Sequence, residues 1–332
     1  MTVMLPSGQT TFLWLSLSLY AGAAAQDPAE KPKDKPAPPT RAAVTQLKPD
    51  ATLDLGGTRG FGSGDGSIWI SLKEAGTVVR VDPKTNRVIQ TIPIGKPPCG
   101  AVTSGPGAVW VPLCGTAGIA RVDPKTNAVA ATLTKGLTAV SAPMVTGVES
   151  LWAISDETGT IARIDPATNA VVAEVYSGAG ASGMAFGQDT LWVTNSKTNQ
   201  LAKINAYTNL LTESITVGKA PVSVASGEGA VWTLNAGDAT VSRVDPKTNK
   251  VTETVKLGMA ITGGQIAVGE ASVWVSASGL PLLRIDPRTN QVAQIFTGLG
   301  GGQVFLAEGS VWIVADAKTI WRLDPKRIEA TR

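Results

Sequence analysis

The chain has 332 residues, 43% hydrophobic and 17% charged, with a formal net charge of +3 and no histidine. A nearly neutral chain without basic runs points away from a nucleic-acid partner. The missing histidine excludes Ser-His-Asp and Cys-His catalysis, histidine-ligated metals and the commonest general base near neutral pH.

Residues 12–25, FLWLSLSLYAGAAA, form an apolar run that ends in small residues, although no Lys or Arg precedes it. This predicts a signal peptide over residues 1–25, cleaved before Gln26, and export to the periplasm or the exterior. The run is too short to span a bilayer comfortably, so no transmembrane helix is expected after cleavage. Residues 26–49 alternate Pro and Lys with few large apolar side chains, which predicts a stiff extended tether. Lys31, Lys33, Lys35, Arg41 and Lys48 against Asp27, Glu30 and Asp34 give this segment +2 (five minus three) and leave about +1 on the rest.

From residue 50 a Trp recurs inside an apolar pair, at Trp69, Trp110, Trp152, Trp192, Trp232, Trp274 and Trp312, with intervals of 38 to 42 residues. Twelve or thirteen residues after each comes a turn marker, at Asp82, Asp123, Asp165, Asn205, Asp245, Asp286 and Asp324, usually written DPKTN, DPATN or DPRTN. The period fits a propeller blade or a helical solenoid. One unit, residues 221–258, reads PVSVASG, AVWTLNAGD, TVSRVDPKTN and KVTETVKLG, which is four β-branched runs separated by turn residues. Four strands per repeat predict a blade, and 36 Gly with 21 Pro argue against long helices. The fold class is therefore all-β, a seven-bladed β-propeller over residues 50–332 with four antiparallel strands per blade.

After Asp324 only PKRIEATR remains, so the seventh blade lacks its outermost strand, and residues 51–56, ATLDLG, resemble it. An N-terminal strand is expected to complete the last blade and close the ring. In the turn marker, Asp caps backbone N–H groups, Pro presets φ, and Asn tolerates the left-handed conformation. The Trp ladder reads as blade-to-blade core. Arg80, Arg121, Arg163, Lys203, Arg243, Arg284 and Arg322 stand two positions before each marker, and the expectation is a stem packed near the Trp with its head in solvent.

The two cysteines, Cys99 and Cys114, both fall in the second blade. Pairing Ser104 with Val109 brings Cys99 opposite Cys114, which favours a cross-strand disulfide over two buried thiols in an oxidising compartment. Two thiols without histidine supply too few ligands for zinc.

The units at residues 231–258, VWTLNAGDATVSRVDPKTNKVTETVKLG, and 191–218, LWVTNSKTNQLAKINAYTNLLTESITVG, resemble YVTN-type propeller repeats. The whole span from about residue 50 resembles that superfamily, and its repeat logic is similar to that of the virginiamycin B lyase family, seven-bladed propellers that open the streptogramin ring with magnesium, a glutamate and a histidine. The resemblance implies the fold. It does not carry the chemistry, because the lyase-like WFTE segments are replaced by WIS, WVP, WAI, WVT, WTL, WVS and WIV, and the histidine has no counterpart. Seven units with Asn rather than Gly-Trp in the outer turn also set aside a quinoprotein site.

Propeller ligands sit at the channel mouth, beside the loops between blades and between second and third strands. Here those inter-blade loops (56–59, 95–99, 135–141, 177–183, 218–221, 258–264 and 298–303) hold mostly small residues. Arg59 is the one charge at the start of an inner strand, suited to an anion, and Gln265 and Gln303 are its polar neighbours along the ring. Asp156, Glu157, Asp238 and Asp316 are the carboxylates able to converge from different blades. The preferred reading is an exported, monomeric, non-catalytic propeller that binds a protein, peptide or small molecule at one face, with no cofactor. The alternative is a lyase or hydrolase using magnesium or calcium with a carboxylate base.

Overall fold

The computed structural model of the chain describes Met1 and residues 38–113, 116–138, 141–316 and 318–331, with backbone alone at 58, 59, 141 and 142. The signal-peptide reading and the tether as far as residue 37 lie outside the described residues. Seven sheets follow one another, six of four strands and one of five. In blade 5 the strands are Pro221–Gly227, Ala230–Asn235, Thr240–Asp245 and Lys250–Lys256, in that spatial order and antiparallel throughout. Among the described residues no helix is long and apolar enough to cross a membrane.

Ring closure follows the expected route. Ala51–Asp54 pairs antiparallel with Thr319–Leu323, Ala51 opposite Arg322 and Asp54 opposite Thr319, as the outermost strand of blade 7. The C-terminal residues make a short helix, Pro325–Ala330, capped by the Asp324 side chain accepting from Lys326 N. Residues 38–49 correct the tether expectation. Thr40–Ala43 adds a parallel fifth strand to the outer edge of blade 6, against Gln291–Thr297, and Val44 and Leu47 are buried with Trp274, Phe296 and Ile328. The physical reason is local: two large apolar side chains and an open strand edge stand within reach of each other, so docking outweighs the ordering entropy. The compact unit thus begins at Pro38.

The seven Trp are buried to within 1% of completely. In six blades the indole N–H donates to the carbonyl five residues earlier, as in Trp69 to Gly64 (3.1 Å) and Trp110 to Gly105 (2.6 Å). Trp192 is the exception, its Nε1 buried without a partner. The turn marker works as expected: Asp82 accepts from Lys84 N and Thr85 Oγ1, while Asn86 sits at φ 57° and closes back on the Asp82 carbonyl.

The periodic basic residues correct the sequence reading. In six blades they do lie over the indoles, with Arg80 5.0 Å from the Trp69 ring centre and Arg243 5.3 Å from that of Trp232. The heads of Arg80, Arg163, Lys203, Arg243 and Arg322, however, reach the turn marker of the next blade instead of solvent, whereas Arg121 Nε and the facing Asn169 Oδ1 are buried without a partner. Arg80 Nη1 donates to Pro124 O (2.6 Å) and Asn127 Oδ1 (2.9 Å), Lys203 Nζ to Pro246 O and Asn249 Oδ1, and Arg243 Nη1 to Pro287 O and Asn290 Oδ1. Arg322 Nη1 closes the circle from blade 7 to Pro83 O and Asn86 Oδ1 of blade 1. Blade 7 has no such turn to offer blade 6, and Arg284 pairs instead with Glu329 of the terminal helix at 2.8 Å. Sequence alone shows the period of these cations but not the neighbour, because the partner lies some 45 residues away.

Candidate functional site

The innermost strand of each blade is hydrogen-bonded on one side only, so its other edge faces the ring centre. These edges surround a channel of about 600 Å³, within the range typical of ligand cavities. Close approach of the blades explains the small residues here. A Cβ on Gly60 would run into the backbone of Gly100 and Ala101, and one on Gly62 into Val102.

Counting four residues back from each Trp-bonded carbonyl position gives one layer near the mouth. It reads Gly60, Ala101, Pro143 and Gly183 over blades 1–4, then Ser223, Gln265 and Gln303 over blades 5–7. The mouth is therefore two-sided, with an arc of small residues facing a polar arc. Polar groups in the inner wall also tie neighbouring blades. Ser182 Oγ donates to Pro221 O (2.7 Å), Ser223 Oγ accepts from Ile266 N, and Gln265 Oε1 accepts from Val304 N, the last two at 3.3 Å. Val222 beside this layer, and Val268, Phe305 and Leu306 deeper in, are partly exposed on the wall, and Phe305 stacks between Phe61 and Trp312.

Of the residues singled out from sequence, Gln265 and Gln303 line this channel. The backbone of Arg59 lies in the inner strand Thr58–Gly64 of blade 1, and its side chain is outside the described residues. The four carboxylates do not come together at the channel. Asp156 Oδ1 accepts from the N–H groups of Thr158, Gly159 and Thr160 within its own loop, at 2.9–3.0 Å. Burial works against its ionisation, but the N–H and hydroxyl of Thr160, with Thr158 and Gly159, outweigh it and hold the carboxyl far below the usual range. Asp316 accepts from Lys318 N and Thr319 N, both at 2.8 Å. The Thr319 side chain and these N–H groups lower its pKa. Asp238 accepts from Lys219 N of the adjacent loop and from Thr240 Oγ1, and Glu157 is exposed. Among the described residues no group of three or more His, Cys, Asp or Glu is placed to hold a metal ion.

In blade 2 the expected register is present, with Ser104 opposite Val109. Cys99 N donates to Pro112 O at 2.8 Å. Cys114 falls outside the described residues, so the disulfide stays an expectation. The apolar flank was the feature missed from sequence. Its signal was available: Phe305 and Leu306 occupy inner-strand positions where blade 5 has Ala225 and Ser226 and blade 1 has Gly62 and Ser63.

No protein-family model matches the chain, and no curated protein matches it. Among solved structures it is similar to selenomethionine-substituted virginiamycin B lyase from Staphylococcus aureus, with 17% identity and a TM-score of 0.70 over 82% of this chain and 97% of that one. It is also similar to a streptogramin B lyase, with 18% identity and a TM-score of 0.69 over 82% and 96%. A third is the catalytically inactive histidine-to-alanine variant of the Staphylococcus aureus lyase with Quinupristin, with 18% identity and a TM-score of 0.70 over 82% and 97%. At this level of identity the likeness is one of fold.

Proposed function

We propose that the chain is an exported, monomeric, non-catalytic propeller that binds a protein, peptide or small molecule at the channel mouth. The observation that carries this reading is the state of the acids. Asp156, Asp238 and Asp316 are each engaged by N–H or hydroxyl groups of the mouth loops, and the described channel lining contains no ionisable side chain. A site built this way can recognise but has no general base or metal cage to offer. A solved neighbour is inactive when a histidine is changed to alanine, and this chain has no histidine to fill that role. Export rests on residues 1–25 and is checked by sequencing the N-terminus of the mature protein, expected at Gln26.

The test of the non-catalytic reading is a thermal-shift titration of the mature protein with magnesium and calcium. A specific ion bound to the native state raises the melting temperature by mass action. The expected result is no saturable shift. A saturable rise that vanishes in Asp156→Ala, Asp238→Ala or Asp316→Ala would refute this reading in favour of a metal-dependent enzyme.

A further inference from the structure

We propose that the occupant of the channel mouth is an uncharged molecule with amide or hydroxyl groups along one edge and an apolar side; this rests on the binding reading above. The described wall offers three kinds of contact, and none of them is ionic. The first is the polar arc. Gln265 uses its carbonyl oxygen to accept from Val304 N, which leaves its two amide N–H donors for a ligand acceptor. Beside this arc, on blade 4, Ser182 donates to Pro221 O and lies 3.1 Å from Thr194 Oγ1, which leaves one lone pair of its hydroxyl. The second is the inner strand edges, whose alternating N–H and C=O groups face the channel because each inner strand pairs on one side only. These are neutral donors and acceptors, apart from those such as Ile266 N and Val304 N that a neighbouring side chain already engages. The third is the apolar flank of Val222, Val268, Phe305 and Leu306.

A charge set against the wall of blades 4–6 meets no counter-ion, since the described lining residues there are uncharged, and it loses hydration without compensation. Charges do stand on the lip, but Lys197, Lys219 and Asp238 are exposed and of both signs, so screening by water leaves them little preference. The arc of small residues across from Gln265 leaves room for the ligand body, whereas the polar arc fixes its orientation. Selection at this mouth thus comes from hydrogen-bond pattern and shape, with charge acting against binding.

Three probes of one shape and different charge test this: N-acetylphenylalaninamide (neutral), N-acetylphenylalanine (anionic) and phenylalaninamide (cationic). Each is titrated into the folded protein to about 10 mM, the range of millimolar fragment affinity, and the backbone amides of Ser223, Ile266 and Val304 are followed by NMR. The neutral probe is expected to shift these amides and to bind about tenfold or more tighter than either charged one. Gln265→Glu keeps the acceptor for Val304 N but replaces the amide donors with a negative charge. In that variant the neutral probe is expected to weaken severalfold and the cation to gain. If a charged probe shifts the same amides in the wild-type protein as strongly as the neutral one, the ligand class is wrong and the mouth reading stands. If no probe shifts them, or shifts appear only elsewhere, the mouth reading itself falls and this proposal falls with it.

Discussion

The ring of basic residues permits a prediction with an internal control. Arg243 donates to Pro287 O (3.1 Å) and Asn290 Oδ1 (2.9 Å) of blade 6 and lies over Trp232. Replacing it by Met keeps most of the stem but removes two hydrogen bonds from a charged donor and the cation–π contact. The half-buried carbonyl and amide oxygen are left without that donor. Charged hydrogen bonds contribute about 1.5–3 kcal/mol each and the ring contact about 0.5–1 kcal/mol, so with partial replacement by water the net loss is about 3 kcal/mol. For a domain of this size that corresponds to about 6 °C in melting temperature. Arg243→Lys is the control, because blade 4 already makes the same two bonds with Lys203, and position 230 is Ala, so no Nε partner is lost. That variant is expected within about 0.5 kcal/mol of wild type. Arg322→Lys differs, because Arg322 Nε also donates to buried Ser310 Oγ at 2.9 Å, and about 1 kcal/mol is expected from that bond. Urea unfolding of the three variants reads the order Met, then Arg322→Lys, then Arg243→Lys. If Arg243→Met matches wild type, or Arg243→Lys costs as much as Arg243→Met, the inter-blade ties do not hold the ring as argued.

Acid sensitivity should report on the mouth. The folded pKa of Asp156 lies below its ordinary value of 3.8, so its contribution is present above that value and is lost as pH falls through the folded pKa. Asp156→Asn is expected to be less stable at pH 6 yet to lose less between pH 5 and pH 3, measured by melting temperature; parallel curves would contradict the assignment. Leu47→Ala removes a buried side chain at the docked N-terminal segment, and about 2 kcal/mol of destabilisation is expected. A change below about 0.5 kcal/mol would show that residues 38–49 behave as tether after all. Non-reducing mass spectrometry of alkylated protein is expected to find Cys99 and Cys114 joined, and two alkylated thiols would remove the disulfide.

The blades were legible because each one repeats its own proof. Trp, turn marker and β-branched run recur in register, and seven copies leave few folds that bury all seven indoles. Closure by residues 51–54 followed from counting strands. What stayed hidden depended on partners remote in sequence. Val44 and Leu47 are too few to predict a docked strand from composition, and their burial exists only because the outer edge of blade 6 happens to be open. The heads of Arg80 and Arg243 looked solvent-bound because their acceptors belong to the next repeat. Asp156 and Asp316 looked available because a sequence shows a carboxylate but not that the N–H groups two and three residues on will turn back to it.

A repeat protein also supplies comparisons that a single domain lacks. At any position the other six blades show what the architecture by itself requires. By that standard the Trp, the basic residue and the Asn of the turn are scaffold, since nearly every blade has them. The mouth layer is different: Ser223, Gln265 and Gln303 stand where four other blades carry Gly, Ala or Pro, so packing alone does not demand them. Phe305 departs in the same way from its equivalents Gly62, Thr103, Val145, Ala185, Ala225 and Ala267. These departures gather on blades 5–7 around one cavity, while the carboxylates that first suggested chemistry turn inward to their own loops. Sequence variation that escapes the repeat's structural requirement and converges in space is the physical reason to look for recognition at this arc.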